Sequence, residues 1–307
     1  MKKTVYEIIT ERILNLLDEG TVPWQRPWNR TGNVEFDWPK NLVSKRPYSG
    51  INVFLLSCCG FSSPFWLTYK QAGDLGGNVK AGEKGLPVIF WKIEPKRTKD
   101  ESGEERTEAF PILRYYTVFN VEQCENIDPA KIPTCPDDLE KIVFNPIAQA
   151  QAIVESMKNP PEIRHRNNSD RACYYPAFDK IDLPAPEQFK SAEKYYSSLF
   201  HELAHSTGHA KRLNRKEIAE SSYYGSHDYS KEELVAEFAA AFLCGAAGIE
   251  QGILENSAAY IQGWSKSLRK NPKWAIHAAA TAQKAADLIQ GIDHQEQAQG
   301  SEAEKAA

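Results

Sequence analysis

Apolar positions recur at helical spacing from the start of the chain. Behind Thr4, the residues Ile8, Ile9, Ile13, Leu14, Leu16 and Leu17 form a broad stripe that ends at Gly20, which predicts a capped amphipathic helix. TVPWQRPWNR follows and is too broken by proline to extend it. VFLL, PFWLTYKQA, GLPVIFWKIEP and ILRYYTVFNVEQ read as strands and short helices of an α+β unit, with the charged run KRTKDESGEERTEA as a solvated hairpin tip between the last two. IDPAKIPTCPDD is proline-rich and reads as a linker. The expected division is therefore residues 1–126, a linker over 127–144, and a second unit over 145–290.

The second unit has a different pattern. Asn145 followed by Pro146 is a helix start, with IAQAQAIVESM running on from it. EIRHR and the two halves of ACYYPAFDKIDLP read as short strands, the latter pair as a hairpin. SAEKYYSSLFHELAHSTG predicts one helix from a Ser191 cap to a Gly208 stop, KEELVAEFAAAFLCG a further helix, and 256–269 and 272–290 two more. Residues 291–307 are polar and are expected to be a disordered tail. The fold class is α+β: an N-terminal α+β domain, then a mainly helical domain with a small sheet.

Charge and aromatics reinforce the division. Residues 1–99 carry 15 Lys and Arg against 9 Asp and Glu, whereas 100–307 carry 22 against 32, and five of the seven tryptophans lie in the basic first third. Neither a secretory signal nor an apolar run near the roughly 20 residues of a membrane span is apparent, so no membrane partner and a cytoplasmic location are expected. The six cysteines show no C-x-x-C spacing, which argues against a zinc ribbon and predicts buried free thiols.

The chemistry concentrates in FHELAHSTGH. Residues four apart on a helix share a face, so His201 and His205 can offer two imidazoles to one ion, while Glu202 on the adjoining face can reach water at the ion's open position and take its proton. Catalytic zinc needs a third protein ligand. Metzincin spacing would place a histidine at 211, where Lys211 stands, so that class is excluded. His209 reads as a surface histidine beyond the helix stop; His227 and Asp228 are minor candidates. Glu233 is the stronger one, because a carboxylate on the apolar helix KEELVAEFAAAFL demands a cation or a hydrogen-bond partner. Ser230 to Glu233 also fits a capping box, in which Glu233 would only bind backbone. Glu237, on the same face, is expected to orient a histidine ring, and Glu232 to face solvent. Tyr223, Tyr224, His227 and Tyr229 are candidates for steadying an oxyanion, and ACYYPAFDKIDL for an edge strand that pairs with an extended peptide.

HELAH followed by ELVAE resembles the gluzincin arrangement. Together with LLDEGTVPWQRPW, RPYSGINVFLL, GGNVKAGEKGLPVIFW, NPPEIRHR and KEELVAEFAAAFLCG, it resembles the ArdC-type antirestriction proteins of conjugative plasmids over nearly the whole chain. The resemblance implies an N-terminal domain that binds single-stranded DNA, related to that of conjugative primases, and a C-terminal zincin-like metallopeptidase domain. It also implies protection of incoming DNA from host restriction, with Zn2+, or another divalent ion such as Mn2+, as cofactor and a host protein as candidate substrate.

The residues of the front third fit a nucleic-acid partner. Single strands are held by cations along phosphates and rings against bases. Trp24, Arg26, Trp28 and Arg30 interleave in one irregular segment; Lys45, Arg46 and Tyr48 follow; Lys80 and Lys84 lie in a glycine-rich loop that could bring backbone amides to phosphate. Trp66 and Trp91, inside apolar runs, are expected in the core. Two other classes fit as well: a DNA-binding shield whose metal site is structural or inactive, and a metallopeptidase with a protein-binding front domain.

Overall fold

The computed structural model describes residues 3–24, 38–99, 105–133, 146–167, 171–219, 227–249 and 258–292. Helix α1 (Val5–Asp18) begins in a capping box: the Thr4 hydroxyl accepts the Glu7 N–H while the Glu7 carboxylate accepts the Thr4 N–H. It ends where Gly20 takes φ 77°, a left-handed turn that suits glycine. The rest of the first unit comprises β1 (Lys40–Asn41), α2 (Ile51–Ser57), β2 (Phe65–Leu67), α3 (Tyr69–Asp74), β3 (Asn78–Val79), β4 (Leu86–Lys99), β5 (Glu105–Asn120) and β6 (Cys124–Glu125). One sheet has the order β1-β2-β5-β4, and β3 and β6 form a second. The long hairpin pairs from Leu86↔Val118 out to Lys99↔Glu105, so its strands extend well into the charged run expected at the tip.

The second unit comprises α4 (Pro146–Ser156), β7 (Glu162–Arg166), β8 (Cys173–Tyr175), β9 (Lys180–Pro184), α5 (Ala192–Ser206), α6 (Lys216–Ala219), α7 (His227–Ala247), α8 (Ala258–Lys270) and α9 (Trp274–Ile289). Its sheet has the order β7-β9-β8, with β8 and β9 antiparallel as expected and β8 at an edge. Helix α7 is apolar on every side from Leu234 to Leu243 apart from Glu237 because it runs through the middle of the core. The remainder of the expected linker, 134–144, and of the expected tail, 293–307, lies outside the described residues. Among the described residues no helix is long and apolar enough to cross a membrane, and the five described cysteines are free thiols, buried or half-buried.

The two units share one hydrophobic core. Ile9, Ile13, Leu17, Trp24 and Phe54 of the first pack with Phe238, Phe242, Ala279 and Ala282 of the second. Phe54 stacks on Phe242 at 4.7 Å and Trp24 meets Phe238 at 4.9 Å, both between ring centroids. Polar contacts cross as well: the Thr10 hydroxyl donates to the Pro272 carbonyl at 2.6 Å, and the Gly50 N–H to Gln283 Oε1 at 3.2 Å. Expectations for two tryptophans are reversed by this packing. Trp24, read as a base-stacking ring, is 2% exposed, because the segment after α1 folds onto α7 and α8 rather than into solvent. Trp91, read as core, is 43% exposed, because β4 is the edge of a projecting hairpin. Trp66 is core, as expected.

Candidate metal centre

Helix α5 presents the histidines. Ser191 caps it by accepting the Lys194 N–H, and the helix ends at Thr207. Gly208 has no left-handed backbone; it is needed because a Cβ there would lie 2.7 Å from Ile218. The opposing carboxylate comes from α7, which starts at His227, before Ser230, so Glu233 lies inside the helix and the capping-box alternative falls away.

His201, His205 and Glu233 converge. The two Nε2 atoms are 3.1 Å apart, His205 Nε2 is 3.3 Å from Glu233 Oε1, and His201 Nε2 is 3.5 Å from Glu233 Oε2. Tetrahedral bonds of about 2.0–2.1 Å set neighbouring donors about 3.3 Å apart, so the cluster has the size of a divalent-cation site. Two imidazoles and a carboxylate are also the donor chemistry such an ion takes.

The back of one ring is fixed by Glu232, which was expected in solvent. Glu232 is 3% exposed, its Oε1 lies 3.4 Å from His205 Nδ1, and it is bound by Arg215 Nε and Nη2 at 2.9 and 2.5 Å. With the proton on Nδ1, His205 turns a lone pair on Nε2 toward the cluster. Glu237, expected in that orienting role, is buried nearby and acts on His201 through its charge. Electrostatics follow the geometry. Burial lowers the affinity of both histidines for protons, but contact with Glu233, and for His205 also with Glu232, carries both pKa values above the usual range. Burial would raise the pKa of Glu233 and of Glu232; the rings, and for Glu232 also Arg215, bring both below it.

Glu202, also buried, is held from the sheet side. Its Oε2 accepts the Tyr174 N–H of edge strand β8 at 2.7 Å. The Tyr174 hydroxyl donates to Asp179, and Arg212 binds Asp179, Tyr174 Oη and the carbonyls of Ser206 and Asn159. This network joins the end of α5 to the β8–β9 turn, where Asp179 takes φ 48°. Arg212, Arg215 and the Tyr174 amide had no sequence signal, since the arginines act from the turns after α5 and the amide through the placement of edge strand β8 beside that helix. Of the oxyanion candidates, Tyr223 and Tyr224 lie outside the described residues, as do the side chains of His227 and Tyr229, whose backbones begin α7.

The candidate DNA contacts are dispersed. Arg26, Trp28 and Arg30 lie outside the described residues. Tyr48 is buried against Trp66, Val88 and Val118, and burial, with Tyr116 nearby, pushes its pKa far up, so the reading of it as an open stacking ring is corrected. Lys45 is exposed with Nζ 5.3 Å from the Phe65 ring centroid, and Arg46 is exposed. Lys80 and Lys84 are exposed, but the Lys80 and Glu83 amides are used by the Gln123 and Lys80 carbonyls, so those two do not cradle phosphate.

Comparisons with known proteins agree with the two-part fold. Residues 3–119 match the N-terminal domain of anti-restriction factor ArdC, and residues 148–282 match the zincin-like metallopeptidase domain. The crystal structure of antirestriction protein ArdC from the R388 plasmid is 33% identical, with a TM-score of 0.70 over 94% of this chain and 98% of that one; its Mn(II)-bound form is similar at 31% and 0.71. DNA primase TraC of Escherichia coli is 35% identical over 96% of this chain, which spans only 28% of that relative's length. Protein y4eC of Sinorhizobium fredii is 30% identical over 99% of this chain and 96% of its own length.

Proposed function

From the premise that this chain belongs to the ArdC antirestriction family, we propose that it binds single-stranded DNA through residues 1–126 and carries a zinc peptidase site in residues 145–290, joined by 127–144, and that it protects incoming DNA from restriction in the cytoplasm. A divalent cation is supported by the donor set and by the Mn(II)-bound relative; zinc is the metal proposed, held by His201, His205 and Glu233.

When bound, the cation supplies Lewis acidity toward a peptide carbonyl and acidifies water. The protein does the rest. Glu202 takes the proton: the Tyr174 amide fixes its Oε2, leaving Oε1 as the base. Glu232 and Arg215 hold His205 in the tautomer that keeps Nε2 unprotonated. The candidate substrate is an extended peptide of a host protein, and the edge strand β8 lies beside Glu202, which holds its Tyr174 N–H. Oxyanion stabilisation falls to Tyr224, His227 or Tyr229, all at or just before the start of the ligand helix.

The convergence of the three donors carries this reading. Its test is hydrolysis of a denatured protein substrate by the full-length, metal-loaded chain and by Glu202→Gln. Retained metal with loss of cleavage supports the assignment; equal cleavage by the variant removes Glu202 as base.

A further inference from the structure

Among the described residues, exposed rings of the β4–β5 hairpin border a cleft of about 870 Å³ between the first and second units, a size that holds small ligands up to a nucleotide. The edge of β4, with Phe90 and Trp91 on opposite faces of the strand, borders it on one side with Trp38 and Tyr48, and Ile276, Ala280 and Lys284 of α9 form the other side. Phe90 and Trp91 are 41% and 43% exposed, and Phe90 lies 5.5 Å from the ring of Tyr116, itself exposed. The walls are joined below: the Gly50 amide binds Gln283 of α9, and Trp91 lies 6.3 Å from His277 of α9 between ring centroids.

The charge at the cleft is mainly positive. Lys284 is exposed and has no hydrogen bond or ion pair among the described residues. Lys40 lines the cleft, and the exposed Arg46 stands one residue before Pro47 of its rim. The acid of the lining, Asp287, is buried and takes a hydrogen bond from Gln283.

The edge of β4 also argues against a peptide strand as occupant. By alternation its outward backbone groups belong to residues 87, 89, 91, 93, 95, 97 and 99. Pro87 and Pro95 have no N–H, and both groups of Ile89 are taken by Asn52 at 2.8 Å. Between the two prolines an added strand would find only Trp91 and Ile93 to pair with. An exposed ring beside the unpaired Lys284, on an edge interrupted for strand addition, suits an unstacked polynucleotide instead.

We propose that this cleft is part of the single-stranded-DNA path, with a base against Trp91 and phosphate at Lys284, so that helix α9 of the zincin-like unit forms one wall of the DNA site. This rests on the reading that the chain binds single-stranded DNA. It adds that both units hold the strand and that the binding ring is on the hairpin.

The experiment is fluorescence anisotropy of a labelled dT oligonucleotide with the full chain, Trp91→Ala and Lys284→Glu over a salt series, with melting temperature as the fold control. Trp91→Ala is expected to weaken binding roughly tenfold. Lys284→Glu is expected to weaken it and to reduce the slope of log affinity against log salt by about one. Wild-type binding with both variants unchanged overturns the cleft and leaves it to a protein occupant, while DNA binding itself stands. Absence of wild-type binding overturns both.

Discussion

Glu232 and His205 lie 3.4 Å apart on the side of the imidazole away from the candidate metal donors, while the next residue, Glu233, faces the same ring's other nitrogen at 3.3 Å. Consecutive residues of α7 therefore address opposite ends of one histidine. This requires Arg215, whose guanidinium neutralises Glu232 in a site where an unpaired carboxylate would be costly.

Replacing Glu232 by Gln is expected to lower metal affinity by about 10- to 100-fold without removing a ligand. Competition with a chelator measures it, and Glu202→Gln, which touches neither ring in this way, is the comparison that should keep wild-type affinity.

The metal-free protein should show a pH-dependent contribution to stability from this cluster. The histidines have folded pKa values above their ordinary 6.5, so their contribution is fully present below 6.5 and is lost as pH rises through the raised values. Glu233 is depressed from 4.5, so its contribution is fully present above 4.5 and is lost as pH falls through the lowered value. Between about 4.5 and 6.5 both are present. Thermal unfolding of metal-free wild type and Glu233→Gln across this range should differ most inside that window and less toward pH 9.

Protons and metal compete for the same nitrogens, so apparent metal affinity should rise with pH until both histidines have lost their protons. Titration calorimetry at several pH values reads this, and Glu233→Gln, which removes the carboxylate that raises both rings, should lower the affinity itself.

Trp24→Ala is expected to destabilise the fold by about 3–5 kcal/mol, the cost of truncating a large buried ring. Trp24→Phe should recover much of that in denaturant unfolding, and its oligonucleotide affinity should equal wild type, because the ring is enclosed by Phe238 and Trp264.

The sequence made the helix carrying HELAH readable because spacing alone puts two imidazoles on one face, and Glu233 because an acid on an apolar helix needs a partner. Glu232 was misread for a physical reason: its partner Arg215 arrives from a turn seventeen residues away, and helical periodicity carries no information about that turn. Trp24 and Trp91 exchanged roles for a similar reason. Proline neighbours mark Trp24 as irregular backbone, but burial there is decided by α7 and α8, distant in sequence. An apolar run marks Trp91 as strand, but only the sheet order reveals that the strand is an edge. The shared core likewise depends on contacts such as Phe54 with Phe242, which a division by composition and linker residues does not anticipate.

Elemental analysis of the purified full-length chain beside His201→Ala and Glu233→Ala tests the metal centre most directly. One divalent ion per chain in the wild type, lost or greatly reduced in both variants while each remains folded, is the predicted result. A wild type that binds no stoichiometric ion from buffer supplied with zinc or manganese, or variants that bind it equally well, would contradict the account.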